Sequence, residues 1–184
     1  MNQKLEKELI QIIENDEWMI HVLKIVRDLN LKDCWIGAGF VRNKIWDVKH
    51  HKSRTKLNDI DVIYFDKSNT SKERDEVLEN KLKENFPKLN WSVKNQARMH
   101  IKNGQNPYKD CEEAISFWPE TATSIAVRIN SRNKIEYIAP YGLDDLFQLK
   151  VKPSPKCDLK IYKSRIEKKG WKEIWNKLEI EFKK

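Results

Sequence analysis

The sequence has few cysteines and no long apolar run. Cys34, Cys111 and Cys157 are widely spaced, match no metal-binding motif and cannot all pair with one another, so we expect a reducing compartment. No apolar run reaches the roughly 20 residues needed to span a membrane, and charged side chains between Lys4 and Glu8 interrupt any signal-peptide pattern. We therefore expect a cytoplasmic protein that does not enter a membrane.

Internal repeats and low-complexity linkers are also missing, so the 184 residues are expected to form one domain, 1–184. The hydrophobic content of 39% is slightly low, but seven tryptophans supply large side chains for a core. Lysine and arginine outnumber aspartate and glutamate by 36 to 28, a net charge of +8. This excess favours phosphate-bearing or polyanionic ligands, although a lysine-rich surface without such a ligand gives the same balance.

Hydrophobic periodicity predicts helices and strands mixed along the chain, as in an α+β or α/β sheet domain. A helical N-terminal segment, 1–30, contains two helices, the second capped by Asn15 or Asp16. At the other end, Trp171, Trp175 and their apolar neighbours predict one helix over about 158–182, with an aromatic stripe that we interpret as core rather than as a base-stacking platform. Between them the pattern predicts helices over 40–48, 71–85 and 142–150, and strands over 33–36, 59–65, 91–95, 124–130 and 134–139.

Two short segments carry the pattern most indicative of chemistry. Gly37 and Gly39 bracket a turn that leads into a helix, where backbone amides favour phosphate groups. Asp59 and Asp61 alternate along an apolar strand, so both carboxylates point to the same face. Two such charges are stabilised by a cation between them, and Mg²⁺ suits oxygen ligands. The alternative is a pair of solvated acids at the start of a strand.

The two segments also resemble a known superfamily. Gly37-Ala38-Gly39-Phe40-Val41-Arg42-Asn43 followed by Leu57-Asn58-Asp59-Ile60-Asp61-Val62 is similar to the polymerase-beta-like nucleotidyltransferases, most of all to the branch with CCA-adding enzymes and bacterial poly(A) polymerases. The stretch Ile135–Leu146 resembles a later segment of that branch. The whole chain looks like a small bacterial nucleotidyltransferase-like family of unassigned substrate. The resemblance implies an α+β fold with a mixed sheet flanked by helices.

The resemblance further implies an activity and a set of site residues. Asp59 and Asp61 would be the catalytic, Mg²⁺-binding carboxylates, Gly37, Gly39 and Arg42 would contact the phosphates, and Arg98 would line the same cleft. A helix salt bridge is the alternative for Arg42, and a solvated strand face for Arg98. The substrate would be an NTP, and its NMP group would move to an unknown acceptor hydroxyl on a small molecule, a protein or an RNA end.

Two departures from the superfamily pattern matter. The strand that matches the usual place of a third metal-binding carboxylate, Trp91 to Gln96, contains no acid. Glu136, or else Glu120, is the available substitute. The chain also ends about 30 residues after Pro153, before the long helical domains with which CCA-adding enzymes grip tRNA. The missing acid leaves a second hypothesis open, a non-catalytic module of the same fold that binds nucleotide or nucleic acid.

Overall fold

A computed structural model describes residues 2–182, in which short helices and strands alternate along the chain. The helices are α1 (Gln3–Glu14), α2 (Glu17–Arg27), α3 (Gly39–Lys49), α4 (Lys72–Asn85), α5 (Met99–Asn103), α6 (Cys111–Ile115), α7 (Asp144–Phe147), α8 (Leu159–Lys169) and α9 (Trp171–Ile174). The strands are β1 (Cys34–Gly37), β2 (Ile60–Tyr64), β3 (Trp91–Asn95), β4 (Ala126–Ile129), β5 (Ile135–Ile138), β6 (Lys150–Val151) and β7 (Glu179–Ile180). Within the described part of the chain, no helix combines the length and the apolar character needed to cross a membrane.

Five of the strands form one mixed sheet in the order β3-β2-β1-β4-β5. β2 and β3 run parallel, and the other neighbours in this sheet are antiparallel. The strands predicted over 124–130 and 134–139 are present as β4 and β5, which pair antiparallel with Ala126 opposite Ile138. A separate pair, β6 and β7, runs parallel near the C-terminus. The predicted α+β class, a mixed sheet flanked by helices, is confirmed.

The two faces of this sheet are covered differently. On one face, Val22 and Val26 of α2 and Val41 of α3 pack with Val62 of β2 in the main hydrophobic core. On the other face a smaller cluster forms where α6 packs against the sheet, with Trp35, Ile63, Cys111, Ile115 and Ala126 as its buried members. Because side chains alternate along a strand, Asp61 lies on this second, less covered face, between the inward-facing Ile60 and Val62.

The N-terminal segment matches its prediction, and the C-terminal segment does not. Asp16 caps α2 as expected, because its carboxylate accepts a hydrogen bond from the Met19 amide at 3.0 Å. The single helix predicted over about 158–182 is wrong: α8 ends before Gly170, whose φ of +55° is left-handed, and only the short α9 follows before β7. Glycine terminates helices in this way because it reaches positive φ without strain. The aromatic stripe is core in part, since Trp171 and Trp175 are buried whereas Phe182 is exposed.

Candidate active site

The turn between β1 and α3 is formed by Gly37, Ala38 and Gly39. A Cβ atom on Gly37 would lie 2.6 Å from Cη2 of Trp118, so this glycine makes room for the Trp118 ring. Gly37 therefore has a packing role, and the space it leaves is filled by an aromatic side chain rather than open to a phosphate. At Gly39 the nearest atom to such a Cβ is Nη2 of Arg42, at the ordinary contact distance of 3.6 Å.

Ala38 is the strained residue of this turn. Its φ of +51° and ψ of −117° belong to a region that residues with a Cβ rarely adopt. Its amide donates to the Ile125 carbonyl at 3.0 Å, and its carbonyl accepts from the Arg42 amide at 2.9 Å. These bonds hold the turn so that α3 starts at Gly39 beside the aspartate strand. The first amides of a helix have no helical partner and carry the positive end of its dipole.

Asp59 and Asp61 lie together at the amino-terminal end of β2. Asp59 is exposed and Asp61 is half-buried. Ile36 pairs with Val62, which brings the β1–α3 turn beside Asp61. Burial raises the pKa of Asp61 above its ordinary value, and the nearby negative charge of Asp59 raises it further. Lys94, a hydrogen bond with Ser92 and Arg165 act in the opposite direction.

This carboxylate pair has the donor chemistry for a hard divalent cation. The repulsion between two like charges is relieved when a cation lies between them, and carboxylate oxygens are ligands that Mg²⁺ accepts. A third acidic ligand is absent: among residues 2–182, no three His, Cys, Asp or Glu side chains are placed to hold one metal ion. The neighbour of Asp61 on β3 is Ser92.

Glu136 does not belong to this site, which corrects its predicted role as a metal ligand. β5 lies three strands from β2 in the sheet order, which at about 4.8 Å per strand is roughly 14 Å. The Glu136 carboxylate instead accepts hydrogen bonds from Arg128 at 2.6 Å and from Asn130 at 2.8 Å. Metal–oxygen bonds of about 2.0–2.6 Å cannot bridge that separation.

Arg42 lines the cleft from α3 and is held in place by its neighbours. Its guanidinium donates to Thr123 Oγ1 at 3.0 Å and to Asn43 Oδ1 at 2.8 Å. It also lies over the Trp171 ring, 4.3 Å from the centroid. Burial lowers its pKa to about 10, so Arg42 is still a cation at neutral pH. The alternative of a helix salt bridge is not what the structure shows, because both side-chain partners are neutral.

Two further cations, which the sequence did not predict for the site, reach the same cleft from α8. Arg165 and Lys169 both line it. Arg165 is anchored by Glu120, a completely buried carboxylate whose Oε1 accepts from Arg165 Nε at 2.8 Å. The other Glu120 oxygen, Oε2, is buried without a hydrogen-bond partner. No local pattern marked Arg165, because its position depends on how α8 packs against distant parts of the chain, as its ion pair with Glu120 shows.

Arg98 is a second predicted site residue that the structure places outside the cleft. It follows the carboxyl-terminal end of β3, whereas Asp61 lies beside the amino-terminal end of that strand. There Arg98 forms an ion pair with Asp75, which also accepts a hydrogen bond from the Tyr64 hydroxyl at 2.7 Å. This network joins α4 to the sheet, so Arg98 has a structural role and not the predicted cleft position.

Together these residues form a small polar cleft with a cavity volume of about 120 Å³. Its walls are the β1–α3 turn, the loop before β2, and the segment from α8 to Trp175. Sites that enclose a whole small-molecule ligand usually measure about 300–1,000 Å³. The cleft therefore suits a compact charged group, such as part of a phosphate chain, with the rest of a ligand lying outside it.

Comparison with known proteins gives one family and several related structures. The model of a family described as Nucleotidyltransferase matches residues 24–180. An NMR structure described as revealing a CCA-adding enzyme head domain is 37% identical, with a TM-score of 0.85, and the match covers 95% of each chain. No curated protein matches the sequence.

Two more distant structures show the same fold. A CCA-adding enzyme in complex with CTP is 14% identical, with a TM-score of 0.58 over 96% of this chain and 43% of that one. The Thermotoga maritima CCA-adding enzyme complexed with tRNA(CCA) is 14% identical, with a TM-score of 0.56 over 95% of this chain and 42% of that one. The chain thus spans nearly all of the head domain but less than half of these two enzymes.

Proposed function

The chain belongs to the nucleotidyltransferase family whose model spans residues 24–180, and we propose that it transfers an NMP group from an NTP to an acceptor hydroxyl. The resemblance to this superfamily predicted from the motifs is confirmed. The observation that carries the proposal is the meeting of Asp59 and Asp61 with the start of α3, Arg42 and the α8 cations in one cleft.

The proposed reaction is a single displacement at phosphorus. The acceptor oxygen forms a bond to the α-phosphorus, the bond from that phosphorus to the oxygen bridging to the β-phosphate breaks, and pyrophosphate leaves. The hydroxyl proton passes to solvent. The products are the nucleotidylated acceptor, pyrophosphate and a proton. The similar enzyme structure with CTP supports an NTP as the donor.

Each group of residues has a separate task in this proposal. Asp59 and Asp61 would hold Mg²⁺, which when bound would neutralise charge on the phosphates. The amides at the start of α3 and the guanidinium of Arg42 would bind the outer phosphates. Both present positive charge, and both are already held in position before a ligand binds. Arg165, fixed by Glu120, would add charge from the opposite wall.

One observation favours a second candidate, a non-catalytic module that binds nucleotide or nucleic acid. Within residues 2–182 the cleft has two carboxylates and no third, and Ser92 stands beside Asp61 where β3 approaches it. Two carboxylates and the cations suffice to bind a metal–nucleotide complex. A third carboxylate would normally help to activate the attacking hydroxyl, so binding without transfer is the specific alternative.

The test uses the full chain with each of the four NTPs, labelled at the α-phosphate, and Mg²⁺. Small molecules, proteins and RNA are offered as separate acceptor pools, and both label transfer and pyrophosphate release are measured. Transfer that is lost with Asp59→Asn and Asp61→Asn, but not with the exposed control Asp28→Asn, supports the enzyme. Binding of an NTP or of RNA without transfer in any pool supports the binding module, and binding of neither contradicts both candidates.

A further inference from the structure

A second cavity, of about 530 Å³, adjoins the cleft at the amino-terminal ends of β2 and β3. It is bounded by Trp18 at the start of α2, by the loop before β2, and by the turn before β3. Four consecutive residues, Lys56 to Asp59, line both this cavity and the cleft. Asp59 therefore stands at the boundary between the two spaces, and we call the second one the side cavity.

The position of the side cavity matches the approach that nucleotidyl transfer requires. The attacking oxygen and the leaving pyrophosphate lie roughly in line on opposite sides of the phosphorus. In the proposed function, the pyrophosphate end lies against Gly39 and Arg42. The side cavity touches Asp59 but neither of those residues. An acceptor in it would face the carboxylates from the side away from the leaving group.

The charge of the side cavity indicates what kind of acceptor fits. Within residues 2–182, Lys56 and Lys88 make no side-chain hydrogen bond or ion pair, so both charges are available to a ligand. Arg54 is already engaged, since its guanidinium pairs with Asp16 and lies 4.2 Å from the Trp18 ring centroid. Asp59 is the single acidic residue in the lining. A cationic acceptor would be repelled by this lining, whereas an anionic one would be attracted.

The rest of the lining suits an organic molecule with a hydroxyl group. Apolar surface comes from Trp18, Leu57 and Leu89, and amide groups come from Asn58 and Asn90. The volume of about 530 Å³ falls within the range of about 300–1,000 Å³ that is usual for small-molecule sites. The central cleft, by contrast, has room only for part of a phosphate chain.

We propose that the side cavity binds the acceptor and that the acceptor is a nucleoside monophosphate unit, its phosphate held by Lys56 and Lys88. The unit is either a free nucleotide or the terminal nucleotide of a strand, since both present the same phosphate and hydroxyl groups. The assignment as an acceptor site rests on the proposed function. The assignment of a phosphate site at Lys88 does not depend on it.

The experiment follows backbone amide NMR signals of the full chain. The protein is saturated with Mg²⁺ and a non-hydrolysable NTP analogue and is then titrated with AMP or with a pentaribonucleotide. We expect signals from residues 54–60 and 86–90 to shift while those from 37–43 stay in the analogue-bound position. Lys88→Gln should weaken AMP binding about tenfold, the usual effect of losing one charged hydrogen bond. Lys102→Gln, which removes a similar exposed charge on α5, should leave it unchanged.

Two results would overturn the assignment. If the NTP analogue displaces AMP, the side cavity takes the nucleoside of the NTP itself. If Lys88→Gln binds AMP as tightly as Lys102→Gln does, the phosphate is not held there.

If the analogue does not bind but AMP still binds through Lys88, the proposed function fails while the phosphate site stands. Tighter binding of the pentaribonucleotide than of AMP would identify the strand end, and equal binding would identify the free nucleotide.

Discussion

The carboxylate of Glu120 and the guanidinium of Arg165 form an ion pair, with 2.8 Å between Oε1 and Nε, that ties α8 to the turn before β4. Glu120 is completely buried, whereas the Arg165 side chain is partly exposed and reaches the cleft. A buried charge is costly unless it is paired. This pair therefore links the stability of the C-terminal segment to the position of a cleft cation.

Arg165→Gln is expected to destabilise the fold by about 3 kcal/mol, because it leaves the buried Glu120 charge without its partner. The double variant Glu120→Gln, Arg165→Gln should recover much of that loss, since no buried charge is then left. Urea denaturation measures both. If the single and double variants unfold at the same urea concentration, Glu120 is compensated by another group, and the pair is not the main link to α8.

Asp61→Asn is expected to stabilise the metal-free protein while weakening binding of Mg²⁺ and NTP. The folded-state pKa of Asp61 is raised by burial and by Asp59, so ionised Asp61 opposes folding. The contribution of Asp61 to the stability of the fold is fully present below the pKa that Asp61 has in the unfolded chain. It is lost as the pH rises through the higher pKa of the folded protein. Removing the charge should gain about 0.5–2 kcal/mol, a few degrees in Tm. A lower Tm at neutral pH in calorimetry would contradict this.

The affinity for Mg²⁺ and NTP should fall on the acid side at a pH above the ordinary aspartate range, because Asp61 must be ionised to bind a cation. Ser92→Ala removes a hydrogen bond that lowers the pKa of Asp61. The acid limb of the binding curve should therefore move to higher pH in that variant. Titration calorimetry across pH gives both curves. Identical acid limbs would show that the hydroxyl of Ser92 does not tune Asp61.

Gly37→Ala should destabilise the protein by about 1–3 kcal/mol, because the new methyl group would lie 2.6 Å from the Trp118 ring. Gly39→Ala meets only ordinary contacts and serves as the matched control, with little effect on folding expected. Thermal denaturation measures both variants. Adding Trp118→Leu to Gly37→Ala should reduce the penalty of the alanine. An unchanged penalty would mean that the ring moves aside without cost.

Ala38→Gly is expected to stabilise the fold by about 1 kcal/mol. A positive φ costs a residue with a Cβ about 1–3 kcal/mol, and glycine removes this strain. Glycine also gives the unfolded chain more conformational freedom, which offsets about 0.5–1 kcal/mol of the gain. Ala114→Gly, in the helix α6, is the control, and there the same change should destabilise. Chemical denaturation of both variants separates the local effect from the general cost of glycine. A loss of stability with Ala38→Gly would show that the turn is not strained.

The structure also shows how far local patterns reach in this chain. Apolar spacing predicted α1, α2, α4 and the strands of the main sheet to within a few residues, because burial of one face follows directly from helix and strand periods. The same spacing failed after α8, where one glycine at φ +55° ends a helix that the aromatic stripe would have continued.

The sequence by itself determined which local groups are available for the proposed chemistry. The spacing of Asp59 and Asp61 places both carboxylates on one strand face whatever the rest of the chain does, and the glycines mark the turn before α3.

Only the tertiary structure decided which distant residues join them. Arg98 and Arg165 are both cations on helical segments, yet one reaches Asp75 and the other reaches the cleft. Glu136 lies on a strand as Asp61 does, but the sheet order places two strands, β1 and β4, between β5 and β2. Strand order and the path of a returning helix depend on contacts between residues far apart in the chain, and no local period encodes them.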